Sequence, residues 1–362
     1  MQVNILTLGP ASPNARAFLQ PITINSEHLQ KSSIRIKLFK IIKDDITECD
    51  VLIIDSKFFQ SWYATSDTLS EMYRKLEIFS LNTKVLFFDT MDSAGYILGN
   101  VLPYVDSYYK HQILVDKNEY LEPMYGRRSY SHFYHQQYNV NDSKEHEDSI
   151  KQVSDPRDLD KINVFWNTGL ANYSFLGEYM AKIYKRLPLK FLVRYPKFFT
   201  NPENNRVIDI QCRINTSYNK DSVAYQRKLI AKYLSNRLQT KKLNRYSFYR
   251  ELKISKIVLS PFGLGEITLK DFETFISGAI LMKPDMSHME TWPNFFEKDK
   301  TYLSFNWDLS NLEEKIDFAL KNYENSSLIA FEGQKRYKHY VSSKPGQQEI
   351  VSRFKDIIQA NT

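Results

Sequence analysis

Short apolar runs alternate with amphipathic and polar stretches along the chain, and this alternation predicts its elements. Val3 to Leu8 reads as a strand ending in Gly9-Pro10, and Ile34 to Phe39 and Val51 to Ile54 as two more, the latter closed by Asp55. Leu69 to Phe79 has helical spacing. Lys84 to Phe88 is a fourth strand that delivers Asp89-Thr90-Met91-Asp92-Ser93 into a loop. Ile162 to Trp166 is a further strand, and Leu176 to Tyr184 a helix. Before them, residues 139–161 are polar and charged and read as a surface loop. A turn-rich linker over residues 201–205 precedes a second series. That series has a strand over Val207 to Ile214, a helix over Ser222 to Leu234, a helix or connector over Arg245 to Leu252 and a buried-type strand over Ile254 to Leu259. An amphipathic helix with the stripe Leu269, Phe272, Ile276 and Ala279 follows. Two late helices cover Leu312 to Asn322 and Gln347 to Ile358. Two consecutive βαβ-like series predict an α/β chain with two Rossmann-like domains facing a cleft. The expected units are 1–204, 205–340 and a C-terminal helix, 341–362, that packs back across the junction.

Composition changes this picture little. A chain of 362 residues has room for two ordinary domains, and its 42% hydrophobic and 25% charged content is that of a globular protein. A net charge of +7 fits an anionic small ligand or an acidic membrane surface and is too small to argue for nucleic acid. Cys49 and Cys212 lie far apart in no metal pattern, and a reducing compartment is the expectation. The start of the chain lacks the pattern of a signal peptide, and no stretch is long and apolar enough to span a membrane. A cytoplasmic location is expected, with room for peripheral association at the inner face of a membrane.

The chemistry concentrates in residues 260–296. Gly263-Leu264-Gly265 lies between a strand and a helix, where backbone N–H groups and a helix start can receive a phosphate, or where a plain tight turn would serve. The spacing matches neither the dinucleotide fingerprint, whose sixth position here is Thr268, nor a P-loop. Glu266 and Glu273 could accept hydrogen bonds from sugar hydroxyls or simply complement the helix N-terminus. For the donor's phosphates the basic candidates are Arg213, Lys220 and Arg227, with Arg213 preferred because it ends a strand. His288 follows in the next loop.

The strand, the Pro-Phe-Gly-Leu-Gly turn, the acidic helix, the segment Gly278-Ala279-Ile280-Leu281-Met282-Lys283-Pro284-Asp285 and the stretch from Asn306 to Ile316 together resemble the donor-binding half of GT-B-fold glycosyltransferases. The likeness is to bacterial polysaccharide-type enzymes and, more loosely, to the exostosin-like group. It spans about 60 residues, and the N-terminal half matches in general layout. The resemblance implies transfer of a sugar from a nucleotide-sugar donor to a saccharide or lipid-linked saccharide, as in surface polysaccharide assembly, with no cofactor and no protein-held metal. Retaining members often separate two Glu by seven residues. Here six lie between Glu266 and Glu273, which leaves stereochemistry open and tilts toward inversion.

An inverting enzyme needs a base on the acceptor side, and Asp89 and Asp92, at a strand's end, are preferred over His135. Arg127, Arg128 and His132 form an acceptor-binding candidate cluster. Two other classes compete. A non-catalytic sugar-nucleotide or glycan-binding protein would tolerate loss of Asp89 and Asp92. A nicotinamide-dependent oxidoreductase would need the absent Gly-x-Gly-x-x-Gly.

Overall fold

A computed structural model describes residues 1–362 except 11, 144–148, 188, 204 and 361–362, and the side chain of residue 150. The loop expected over 139–161 and the linker expected over 201–205 therefore fall partly outside the described residues. The strands are β1 (Gln2–Leu6), β2 (Arg35–Phe39), β3 (Val51–Asp55), β4 (Lys84–Asp89), β5 (Ser107–Lys110), β6 (Gln112–Leu114), β7 (Met124–Tyr125), β8 (Ser149–Ile150), β9 (Ile162–Val164), β10 (Ile208–Gln211), β11 (Ser255–Leu259), β12 (Ile280–Pro284), β13 (Met289–Thr291) and β14 (Leu303–Phe305). The helices are α1 (Pro13–Ile24), α2 (Ser26–Lys31), α3 (Ser66–Asn82), α4 (Ser129–Tyr138), α5 (Gly177–Arg186), α6 (Asp221–Tyr233), α7 (Arg245–Ile254), α8 (Leu269–Ser277), α9 (Leu312–Lys321), α10 (Tyr323–Ser342) and α11 (Lys344–Gln359).

Two parallel sheets result, the expected pair of Rossmann-like layers. The first has the order β2-β1-β3-β4-β5-β9 and the second the order β10-β11-β12-β14. In the first sheet β3 is buried at all five positions, as a central parallel strand covered on both faces must be. Each Val, Leu or Ile side chain there contributes roughly 1.5–3 kcal/mol by leaving water. Strand β2 sits at the edge and keeps only Phe39 buried. The chain leaves β1 to one side for β2 and returns to the other for β3. The order thus reverses at β1, and the crevice beyond the carboxyl ends of β1 and β3 is the place where such sheets bind ligands.

The two sheets are tied together. β6 pairs with β13 in an antiparallel ribbon that joins the halves, with Gln112 opposite Thr291 and Leu114 opposite Met289. One apolar cluster runs from Val3 and Phe88 through Phe165 and Trp166 to Phe272, Phe295, Tyr337 and Phe354. α11 lies against the first sheet: Phe354 packs on Trp166 and Arg353 donates to the carbonyl of Val164. α4 packs on α6, where the carboxylate of Asp142 accepts from the N–H of Ser222 at 2.8 Å and from its hydroxyl at 2.7 Å. Among the described residues no helix is long and apolar enough to cross a membrane.

Candidate functional site

Three loops meet at the crevice of the first sheet. The buried carboxylate of Asp55, at the end of β3, accepts from Thr7 Oγ1 at 2.8 Å and from Thr90 Oγ1 at 3.0 Å, which fastens the ends of β1 and β4 to it. Ser12 then caps α1, its hydroxyl accepting from the N–H of Ala15 at 3.1 Å, with Pro13 in the first turn. This start of α1 places Asn14, whose side-chain N–H₂ donates to the carbonyl of Thr90 at 3.0 Å and to Asp92 Oδ1 at 2.7 Å. Asp92 is exposed, and its carboxylate is held by a neutral donor alone among the described residues.

The opposite wall comes from the second sheet. β11 ends at Leu259, and from Ser260 the chain turns through Gly263 and Gly265 into α8; the N–H of Gly263 donates to the carbonyl of Gly265 at 3.0 Å. A Cβ on Gly265 would stand 2.1 Å from the carbonyl oxygen of Asp92, so glycine is required for the two walls to touch there. The start of α8 is locked by a buried ion pair between Lys283 and Asp271 at 3.0 Å, while Asp271 also accepts from the N–H of Thr268 at 2.9 Å and from Ser260 Oγ at 2.6 Å. Burial pulls the Lys283 amine below its ordinary pKa, and Asp271 opposes that pull. Lys283 of the resembling segment is thus a brace for the helix start.

Between the walls runs a groove of two chambers. One, of about 430 Å³, is lined by Asn14, Lys57, Asp92, Tyr218, Arg227 and the 263–269 turn. The other, of about 290 Å³, is lined by Arg16, Tyr173, Glu178, Arg245, Tyr249 and Glu273, and Ser12, Pro13 and Leu269 border both. Arg227 is the notable cation. It is 7% exposed, its guanidinium donates to the carbonyls of Phe262 at 2.5 Å and Asn215 at 3.3 Å, and it lies over the ring of Tyr218. Among the described residues no carboxylate pairs with it, and burial lowers its pKa. A desolvated cation without a counter-charge beside a helix start favours an anionic ligand. In the second chamber Tyr249 donates its hydroxyl to Glu273 Oε1 at 2.8 Å, and burial raises the Glu273 pKa.

The residues anticipated from the sequence separate into groups. Gly263, Gly265, Glu273 and Asp92 lie on or beside the groove. Asp89 does not reach it. It is fully buried, paired with Lys110, and accepts from Tyr108 Oη at 2.6 Å, from the N–H of Met91 at 2.8 Å and from Ser56 Oγ at 3.5 Å, so four donors occupy its two oxygens and none is left for a substrate proton. His135 stacks on Tyr125 and its Nδ1 lies 3.1 Å from the carbonyl of Val140, a packing role in α4 in place of the expected base. His132 Nδ1 accepts from the N–H of Tyr125 at 3.1 Å, and burial lowers its pKa. Arg213, the preferred phosphate ligand, is instead held bidentately by Glu251 at 2.6 and 2.8 Å. Glu266 is fully buried and reaches across to the first sheet, accepting from Ser93 Oγ at 3.0 Å, the N–H of Ala94 at 2.9 Å and Gln112 Nε2 at 3.2 Å; it clasps the two halves and leaves no room for a sugar. His288 sits behind it, 3.9 Å from its carboxylate and edge-on to Trp307. Arg128 donates to the carbonyl of Leu264 at 2.8 Å, on the outer side of the glycine turn. Arg127 lies over Tyr96, and the charges of Arg128 and Arg127 act together with burial to lower the Lys220 pKa.

Sequence reasoning passed over Asn14, Lys57, Arg16, Tyr218, Arg245 and Tyr249 and ranked Arg227 below Arg213. One signal was available: Ser12-Pro13 directly after a strand and Gly9-Pro10 marks a helix start at a strand's carboxyl end.

No protein-family model matches the chain, and no curated protein does. Among solved structures it is similar to Alr3699/HepE of Anabaena in complex with UDP, at 9% identity over 99% of each chain with a TM-score of 0.44. It is also similar to a glycosyltransferase from Rickettsia africae, at 11% identity over 100% of this chain and 99% of that one with a TM-score of 0.45. A third is MurG of Acinetobacter baumannii, at 10% identity over 99% of each chain with a TM-score of 0.39.

Proposed function

We propose that the chain is a glycosyltransferase that moves a sugar from a nucleotide-sugar donor to a saccharide or lipid-linked saccharide acceptor, with inversion at the anomeric carbon. In this reading unit 1–204 receives the acceptor and unit 205–340 the donor. The observation that carries it is the groove itself: an unpaired buried guanidinium, Arg227, beside a glycine turn and a helix start, with the exposed carboxylate of Asp92 on the facing wall. The residue pattern from Ser260 to Ile316, which resembles the donor half of GT-B enzymes, supports it independently.

The chemistry follows from these groups. Asp92 takes the proton of the acceptor hydroxyl as that oxygen bonds to the anomeric carbon. The bond from that carbon to the diphosphate breaks, and the diphosphate leaves with the electron pair. Arg227 and the positive end of α8 stabilise the charge that develops on it. Asn14 keeps the Asp92 carboxylate aimed. Glu273, beside Tyr249, meets the donor's hydroxyls from the second chamber.

The test pairs calorimetry against UDP, GDP, CMP, ADP and dTDP sugars with turnover on a saccharide acceptor. Asp92→Asn is expected to bind donor as the wild type does and to lose about 10²–10⁴ in rate. Full turnover by Asp92→Asn would place the base elsewhere, and donor binding with no turnover in the wild type would leave a binding protein.

A further inference from the structure

The segment from Phe175 to Phe198, which holds α5, carries chemistry that the groove does not use. α5 buries only Gly177, where a Cβ would stand 2.1 Å from the carbonyl of Asn172, so the helix lies on the surface, with Tyr179 exposed and Met180, Ile183 and Tyr184 half-buried. Phe175, Leu176, Tyr179, Leu187, Leu189 and Phe191 are exposed, Phe191 at 69%, and Phe198 at the segment's end reaches 87%. Interleaved with them are the exposed cations Lys182, Lys185, Arg186, Lys190, Arg194 and Lys197. The segment's one acid, Glu178, is already paired with Lys182 at 3.3 Å and with Arg245 at 2.8 Å. A stable surface has no use for so many aromatic and aliphatic side chains in water beside cations that outnumber the segment's single acid, whereas an anionic lipid surface satisfies both.

A second feature borders this segment. Lys190 Nζ donates to Ser26 Oγ at 3.3 Å, which brings the segment to the start of α2. Beside it opens a cavity of about 750 Å³ between α2 and α11, lined by His28, Lys31, Lys344 and Lys355 with no acidic side chain, and by Tyr195 from the segment's own end. Tyr195 is 8% exposed, and among the described residues its hydroxyl has no hydrogen-bond partner within 3.5 Å. The cations of the two features have the same sign and share an edge.

We propose that residues 175–198, with the adjoining basic cavity, form a docking face for an anionic lipid bilayer, on which the exposed aromatic side chains enter the headgroup boundary and the lysines and arginines meet lipid phosphates. α5 also lines the second chamber of the groove through Glu178, Ala181, Lys182 and Lys185, so docking brings the groove's mouth to the lipid surface. The proposal rests on the surface alone and stands or falls apart from sugar transfer.

The test is sedimentation of the full chain with vesicles of phosphatidylcholine and phosphatidylglycerol in equal parts, against phosphatidylcholine alone. Binding is expected only to the anionic vesicles and is expected to fall with added salt. Arg186→Gln with Lys197→Gln should weaken it by roughly fivefold for each charge removed. Leu189→Ser with Phe191→Ser should weaken it at unchanged net charge and unchanged far-ultraviolet circular dichroism. Lys241→Gln with Lys242→Gln, exposed cations elsewhere, should leave it intact. No preference for the anionic vesicles overturns the proposal. So does an equal loss in the Lys241/Lys242 variant, which would mean diffuse charge. Concentration-dependent association of the chain without vesicle binding, abolished by Phe191→Ser, also overturns it and marks a protein interface instead.

Discussion

At the scale of single residues, burial and partners separate groups that look alike in the sequence. Asp89 and Asp92 stand three positions apart after one strand. Asp89 closes β4, where the strand register sets it opposite Lys110 of β5, and the pair is sealed in the core. Asp92 lies beyond the turn and keeps an exposed carboxylate on the groove. The two glutamates divide in the same way, Glu266 into the contact between the sheets and Glu273 into the second chamber. Glu273→Ala is therefore expected to weaken nucleotide-sugar binding by about 1.5–3 kcal/mol, the worth of a charge-assisted hydrogen bond, as read by calorimetry on the folded variant. Lys270 supplies a pH signature. Burial, with the charge of Arg227 adding to it, holds its pKa down at about 8 from 10.5. The unfolded chain keeps that proton up to about 10.5, so between those two values the unfolded state binds more protons and stability from this group rises with pH. Urea unfolding across that window should show the rise, and Lys270→Met should remove it.

At the scale of elements, helix ends place the chemistry. The first turn of α1 sets Asn14 against Asp92, and the capped start of α8 sets the glycine turn against Arg227. Ser12→Ala removes the hydroxyl that caps α1, at an expected cost of about 1 kcal/mol in chemical denaturation, and should lower turnover by loosening Asn14. Strands β1, β3, β4 and β11 and helices α3, α8, α9 and α11 are legible as apolar runs or helical stripes, because their buried faces are built from large aliphatic and aromatic residues. The 20-residue α10 is not. Its buried face is Ser326, Ala330, Gly333, Gln334, Tyr337 and Val341, in which only Tyr337 and Val341 are large and apolar, too few to show a strong hydrophobic period. Gly333 adds to this: a Cβ there would lie 2.6 Å from the carbonyl of Thr301, so close backbone approach docks this helix together with the fully buried ring of Tyr337. α1 went unread for a different cause, since Pro21 lies within it and its cap follows the Gly9-Pro10 turn signal.

At the scale of the whole molecule, the groove exists because two sheets are clasped at one edge. The clasp consists of the β6–β13 ribbon, the shared apolar cluster and Glu266. Glu266→Ala leaves the buried N–H of Ala94 and the hydroxyl of Ser93 without their acceptor, at a cost of about 1–3 kcal/mol for each orphaned group. Faster hydrogen exchange at Ala94 and across the 263–265 turn, with a lowered Tm, is the expected result. Unchanged exchange there would mean that the ribbon and the apolar cluster hold the halves unaided.

The sequence by itself determined the two α/β series and the parallel character of their sheets, because central strands and amphipathic helices must repeat apolar residues at their own period to be buried. It also marked the loop from Ser260 to Thr268 as the place where chemistry gathers, since a glycine turn between strand and helix leaves a helix start open. Only the tertiary structure decided which charges remain available. Lys110 claims Asp89, Glu251 claims Arg213 and the Ala94 amide claims Glu266 through contacts between residues 21, 38 and 172 positions apart, while Arg227 is left without a carboxylate among the described residues. A local pattern reports what a residue can do. Whether its charge is already neutralised depends on strand register and on which loops of the two sheets are pressed together.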